Sequence, residues 1–161
     1  MTSKTVNDSQ IEMIELVLPN DTNIHGNLLG GRLMHWIDIS AALAASRHCN
    51  RVAVTAAMDN LNFHHAIHLG NIVRLKSSVN RAFNTSMEVG VRVEVENIKT
   101  GKTLHSNSAY LTFVSIDDIT RKPMKVPELI PETDEEKRRY EQALQRRNQR
   151  LSEKKGIVQA I

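Results

Sequence analysis

From Val52 to Ile116 the chain keeps returning to the two-residue period of a β-strand. Ahead of that stretch one long segment, Arg32 to about His48, carries the period of a helix. Val52, Val54, Ala56 and Met58 alternate with their neighbours, and so do Val73, Leu75, Ser77 and Val79. The clearest run interleaves Val89, Val91, Val93 and Val95 with Glu88, Arg92, Glu94 and Glu96. Leu104 to Ile116 reads as a further strand after the turn Lys99-Thr100-Gly101-Lys102, and Gln10 to Leu18 as a strand ahead of the helix. Connections this short favour antiparallel neighbours, because parallel strands need crossovers of a dozen residues or more. A sheet of this kind must bury one face, and the helix is its only candidate cover. The expected fold is therefore α+β, an antiparallel sheet wrapped around one long central helix. Leu33, Trp36, Ile37, Ala41, Ala44 and Ala45 mark the helix's apolar face, and so much of the rest is apolar that the helix is expected to be enclosed.

Past Ile116 the pattern breaks into a connector marked by Pro123, Pro127 and Pro131. Thr133-Asp134-Glu135-Glu136 is a capping box, and the helix it opens has only a thin apolar stripe of Tyr140, Leu144 and Leu151. The expectation is one domain over residues 1–126 and an exposed helical extension over 127–161, which suits a chain of 161 residues with a single core.

Several function classes drop out. The one cysteine, Cys49, excludes an intramolecular disulfide framework and a cysteine-based zinc site, and makes a reducing compartment the default. The polar start, Met1 to Gln10, and the lack of any run near the roughly 20 apolar residues that span a bilayer point to a soluble, cytoplasmic protein with no membrane partner. The net charge of +3 is spread along the chain and aromatics are only 4%, so no basic face with stacking platforms suggests nucleic acid. A small anionic ligand would suit the excess as well.

Asp38 is the residue least at home in its surroundings, a carboxylate inside the most apolar helical stretch, where it costs energy unless it is hydrogen-bonded. Taken singly, a wet helix edge would explain it equally well. Gly30-Gly31 opens the helix, and an N-terminus with unpaired N–H groups and glycine's bare backbone suits an oxyanion, although a plain loop-to-helix junction is the simpler account. From Gly30 to Asp38 is two turns, about 12 Å along the axis, so a carbonyl held at the helix start is not automatically near the carboxylate of its own chain. That spacing suggests a second chain completing the site. Asn23, in the turn cluster Pro19-Asn20-Asp21-Thr22-Asn23, has an amide that could donate to a substrate oxygen or orient a water, or it is simply an Asx-turn residue. His64, His65 and His68 invite a metal reading, but their extended setting does not converge ligands, and no metal is expected. Cys49, beside Arg47 and His48, reads as structural rather than reactive.

The run from Asn20 through His25-Gly26-Asn27-Leu28-Leu29-Gly30-Gly31 to Trp36-Ile37-Asp38 resembles the signature of hotdog-fold acyl-CoA thioesterases. It is similar above all to the bacterial acyl-CoA hydrolases and the cytosolic (brain) acyl-CoA thioester hydrolase branch. Ser46 to Asn50, Asn60-Leu61-Asn62-Phe63 with Gly70, and the tail from Pro127 to Leu151 extend the likeness over about Ile11 to Leu151. The resemblance implies hydrolysis of fatty acyl-CoA to free acid and CoA, with no cofactor, since CoA is part of the substrate. It further implies two subunits paired edge to edge, with Asn23 and Asp38 meeting from opposite subunits and many relatives forming hexamers as trimers of dimers. Asp38 would act as general base or nucleophile, with Asn23 assisting and Gly30 or Gly31 supplying the oxyanion donor. The CoA phosphates would lie near Asn84, Thr85 and Ser86 with Arg81, while Thr55 and Asp59 would support the site. One departure is Leu29, where a number of such enzymes have histidine, so that histidine's role is not carried over. A non-catalytic acyl-CoA-binding regulator and a hotdog hydratase or dehydratase are the alternatives.

Overall fold

The computed structural model describes residues 2–59 and 61–160, the last three of these in backbone only; Asn60, one residue of the resemblance, lies outside them. In chain order the elements are β1 (Lys4–Thr5), β2 (Ile11–Leu16), α1 (Gly30–Cys49), β3 (Ala53–Met58), β4 (Ile72–Ala82), β5 (Ser86–Glu96), β6 (Thr103–Ser115), β7 (Leu129–Ile130) and α2 (Asp134–Ala160). Five strands make one antiparallel sheet in the order β2-β4-β5-β6-β3, and the two-residue β1 and β7 pair in parallel. Strand, helix and four further strands is the expected order, and the sheet curls around α1 as the hotdog resemblance implies.

α1 lays Leu33, Trp36, Ile37, Ala41, Ala44 and Ala45 on a sheet face built from Val73, Leu75, Val79, Val89, Val91, Val93, Leu111 and Phe113. Each large side chain so buried contributes about 1.5–3 kcal/mol, and the three alanines let the helix lie close. A polar pair between helix and sheet is satisfied: the buried Ser40 and Ser77 hydroxyls are 2.6 Å apart. At the far end of α1, Asn50 takes the left-handed conformation (φ 52°) and the Lys4 ammonium donates to the Arg47 carbonyl at 2.8 Å, a cation on the negative end of the helix.

His48, in the last turn of α1, is fully buried, and its Nε2–H donates to the Pro127 carbonyl at 2.9 Å. Its Nδ1 has no partner among the described residues. Burial holds its pKa below the ordinary imidazole value; the Pro127 carbonyl opposes this only in part, and the Lys4 charge adds to the lowering. A histidine kept neutral in the fold but free to charge in the unfolded chain costs stability in acid. We expect the melting temperature to fall as the pH drops below about 6.5, the unperturbed imidazole value, and the fall to shrink in His48→Gln. An identical pH slope in the variant would dismiss His48 as its source.

Two expectations are corrected. α1 is not enclosed by its own chain: Met34, Ile39 and Leu43 are exposed on its side turned from the sheet, and so are Val54 of the edge strand β3 and Val52 just before it. One curled sheet covers only one side of a helix. Nor is α2 a free extension, for it docks on the sheet face turned away from α1, with Ala143 fully buried and Tyr140 packed against the core cluster. Its capping box forms as expected: the Thr133 hydroxyl accepts from the Glu136 N–H (3.2 Å), and the Glu136 carboxylate accepts from the Thr133 N–H (3.1 Å).

The docked helix also changes the reading of β5. Simple alternation would leave Glu88 in solvent beside Arg92, yet Glu88 is 1% exposed beneath α2. Asn80 lies across Gly90 and donates to Glu88 at 3.0 Å. A methyl group on Gly90 would stand 2.7 Å from the Asn80 amide nitrogen, so only glycine leaves room for that contact. Among the described residues no helix is long and apolar enough to cross a membrane.

Candidate active site

Asp38 sits half-buried on the uncovered edge of α1, where its Oδ1 accepts a hydrogen bond from the Thr55 hydroxyl of β3 at 2.7 Å. Thr55 itself is exposed on the open edge strand. The carboxylate is thus oriented by one neighbour while its Oδ2 stays without a partner among the described residues. The bulge between Thr55 and Ala57 in the β3–β6 pairing lies beside this contact, where a local twist re-aims side chains.

Two turns back, the loop before α1 is tied down by Asp21, a residue the sequence reading passed over. Its Oδ2 accepts from the Leu18 N–H at 2.9 Å, its carbonyl accepts from the Leu29 N–H at 2.9 Å, and its Oδ1 lies 3.2 Å from the Arg32 Nε. Leu29 occupies the N-cap in an extended conformation and offers no side-chain cap. The N–H groups of Gly30 and Gly31 therefore begin the helix without partners inside it, at the positive end of its dipole. A methyl group on Gly30 would touch the Phe63 ring at 3.4 Å, whereas one on Gly31 would meet nothing within 4 Å. Gly30 is roofed by an aromatic ring, and Gly31 is open.

Asn23 is the Asx-turn residue its position suggested. Its Oδ1 accepts from the N–H groups of His25 (3.0 Å) and Asn27 (3.2 Å). That fixes the side chain with the amide nitrogen left to donate. The loop is braced from outside, as Leu28 N–H donates to the Ile67 carbonyl (2.7 Å) and Asn27 Oδ1 lies 2.9 Å from His68 Nδ1. His68 is thus a loop brace, and the described residues hold no group of three His, Cys, Asp or Glu placed to bind a metal. Cys49 is buried, its thiol near the Ser46 and Arg51 carbonyls. Among the described residues no hydrogen bond joins Asn23 to Asp38 within the chain.

Of the residues expected near CoA phosphates, Asn84 and Thr85 lie between β4 and β5 and Ser86 opens β5. Arg81 is turned to α2: its guanidinium lies 3.9 Å from the Tyr140 ring centre, donates to the Tyr140 carbonyl at 3.1 Å and stands 3.7 Å from Glu141. The turn itself is well anchored, since the carbonyls of Asn84 and Thr85 accept from the N–H groups of Val126 and Ser115, both at 3.0 Å. The cation at this turn is Arg147 of α2, which donates to the Ser86 hydroxyl at 3.3 Å and stacks 4.1 Å from the Phe83 ring centre. Arg147 pairs with no carboxylate among the described residues. It was missed because the tail was read as a free extension; its place one turn past Ala143 was the available signal. Asp59, expected to support the helix side, instead pairs with Arg150 of α2 at 2.9 Å. Of the two supporting residues only Thr55 reaches Asp38.

Comparison with known proteins gives one answer. Residues 25–102 match the thioesterase superfamily. Acyl-coenzyme A thioesterase 11 of Mus musculus is 42% identical over 145 residues, 90% of this chain and 24% of that protein, so the chain spans about a quarter of that relative's length. The uncharacterized acyl-CoA thioester hydrolase YkhA of Bacillus subtilis is 40% identical over 148 residues, 92% of this chain and 86% of that protein. An acyl-CoA hydrolase from Staphylococcus aureus, solved with butyryl coenzyme A, coenzyme A and coenzyme A disulfide, superposes with a TM-score of 0.87 at 35% identity over 98% of both chains. That enzyme is also known as variants in which an aspartate, an asparagine or a threonine is replaced by alanine. A hexameric acyl-CoA thioesterase superposes with a TM-score of 0.90 at 38% identity, over 95% of this chain and 97% of that one.

Proposed function

The chain belongs to the acyl-CoA thioester hydrolases of the thioesterase superfamily, and from that premise we propose that it hydrolyses fatty acyl-CoA to the free acid and CoA at sites shared between subunits. The observation that carries the reading is a carboxylate, Asp38, held by Thr55 on an uncovered edge, with an uncapped Gly-Gly helix start two turns away. The substituted asparagine, aspartate and threonine of the Staphylococcus aureus enzyme stand in the same order and at the same spacing as Asn23, Asp38 and Thr55.

In this mechanism the thioester oxygen rests on the N–H groups of Gly30 or Gly31, with the Asn23 amide as a further donor. Asp38 of the opposite subunit takes a proton from water as the water oxygen bonds to the carbonyl carbon, or attacks that carbon itself. Collapse of the tetrahedral oxyanion breaks the C–S bond. On the first route the acid is released and the CoA thiolate takes the proton held by Asp38. On the second the thiolate leaves a mixed anhydride on Asp38, which water cleaves to the free acid, restoring the carboxylate and supplying the thiolate's proton. The exposed Met34, Ile39 and Leu43 of α1, the exposed Val52 and Val54 and the unpaired side of β3 support an edge-to-edge dimer, and the hexameric relative supports a trimer of dimers. The phosphates of CoA lie at the turn Asn84–Ser86, where Arg147 supplies the cation that Arg81 cannot. Neither metal nor separate cofactor takes part.

A panel of acyl-CoAs of graded chain length, assayed for released thiol, tests the reading. At least one member should be cleaved with kcat/KM above about 10⁴ M⁻¹ s⁻¹. CoA binding without thiol release from any member would replace hydrolysis with a purely binding role.

A further inference from the structure

We infer that Glu88 is a positioning residue for the CoA end of the substrate: its buried carboxylate sets the register of α2 so that Arg147 stands over the turn Asn84–Ser86. This rests on the function proposed above. Glu88 accepts a two-pronged hydrogen bond from Arg146, with Nε–Oε2 at 3.0 Å and Nη2–Oε1 at 2.7 Å, and a third from the Asn80 amide at 3.0 Å. The Arg146 guanidinium also lies 3.7 Å from the Tyr110 ring centre, so the pair is clamped from both sides. A buried ion pair adds little stability over an apolar pair of the same volume, but its fork geometry admits one alignment of the two elements.

Arg147 is the next residue along α2. Slipping the helix by a single residue would turn it by about 100° and carry the Arg147 guanidinium off Phe83 and Ser86. The charge distribution agrees with that role. Arg146 is neutralised by Glu88, Arg150 by Asp59 and Arg81 of β4 by Glu141, so of these four arginines the one with no carboxylate partner among the described residues is Arg147, over the turn. Tyr140 and Ala143 also hold the helix down, but their apolar contacts tolerate sliding as the forked pair does not.

The test compares two substrates in Glu88→Gln and Arg146→Lys, each of which keeps size while breaking the charged fork. With an acyl-CoA, KM should rise about tenfold and kcat stay within about twofold, since displacement of a binding group by an ångström has effects of this order or larger. With the acyl N-acetylcysteamine thioester, which lacks phosphates and nucleotide, both constants should match the wild type, and this also shows that the variants are folded. An unchanged KM for acyl-CoA, or an equal loss on both thioesters, would overturn the inference. If the wild type cleaves neither thioester, it is the proposed function that fails. CoA affinity by calorimetry then decides for Glu88: about tenfold weaker in the variants upholds it, and unchanged affinity rejects it.

Discussion

Asp38→Ala should lower acyl-CoA hydrolysis by about a thousandfold, within the 10²–10⁴ typical of losing a general base, while CoA still binds. The substitution removes the group that takes the proton from water or attacks the thioester, and either route stops without it. Little else should change. Asp38 is half-buried, its one partner is the exposed Thr55 hydroxyl, and that hydroxyl can turn to water once the carboxylate is gone. The melting temperature should stay within a few degrees, in line with a surface-type substitution. Asp38→Asn should lose as much activity, because it keeps the shape and the hydrogen bond but not the base. Thiol release measures the rate and calorimetry the CoA affinity. Activity within tenfold of wild type in either variant would remove Asp38 from the mechanism.

Arg146→Met should destabilise the fold by about 3–5 kcal/mol, the cost of leaving a buried charge without its partner. Methionine can still lie against Tyr110, so the loss isolates the charge on Glu88, which is 1% exposed and would keep only the Asn80 amide. Against the roughly 5–15 kcal/mol that stabilises a typical domain, that is a large share. The double variant Glu88→Gln/Arg146→Met should recover most of it, since a neutral amide pairs with Asn80 at far lower desolvation cost. Chemical denaturation of the four proteins closes the cycle. A loss below about 1 kcal/mol in the single variant would show that Arg146 does not compensate a buried charge on Glu88.

The parts of the site differed in how openly the sequence showed them. Asp38 stood out because a carboxylate interrupts an apolar helix, and Gly30-Gly31 because glycine pairs mark a backbone start. Asn23 was legible as a turn residue, and a turn residue it is; its amide becomes a candidate only because the turn fixes its oxygen. Asp21 carried no signal, since nothing local distinguishes a loop aspartate that gathers three contacts from one facing water. The enclosed helix was misread because apolar residues all round α1 are equally what a subunit contact requires.

The succession of strands along the chain, the single central helix and the two helix starts were determined by the sequence alone. Hydrophobic period, capping boxes and turn residues act over a few neighbours and survive without knowledge of the fold. The position of α2, the burial of Glu88, the contact of Arg147 with Ser86 and the pairing of Asp59 with Arg150 were decided by tertiary structure. Glu88 meets Arg146 across 58 residues and Asp59 meets Arg150 across 91. A charge on a strand or an arginine on a tail has the same local pattern whether it faces water or its counterpart, and only packing α2 onto the sheet distinguishes the two.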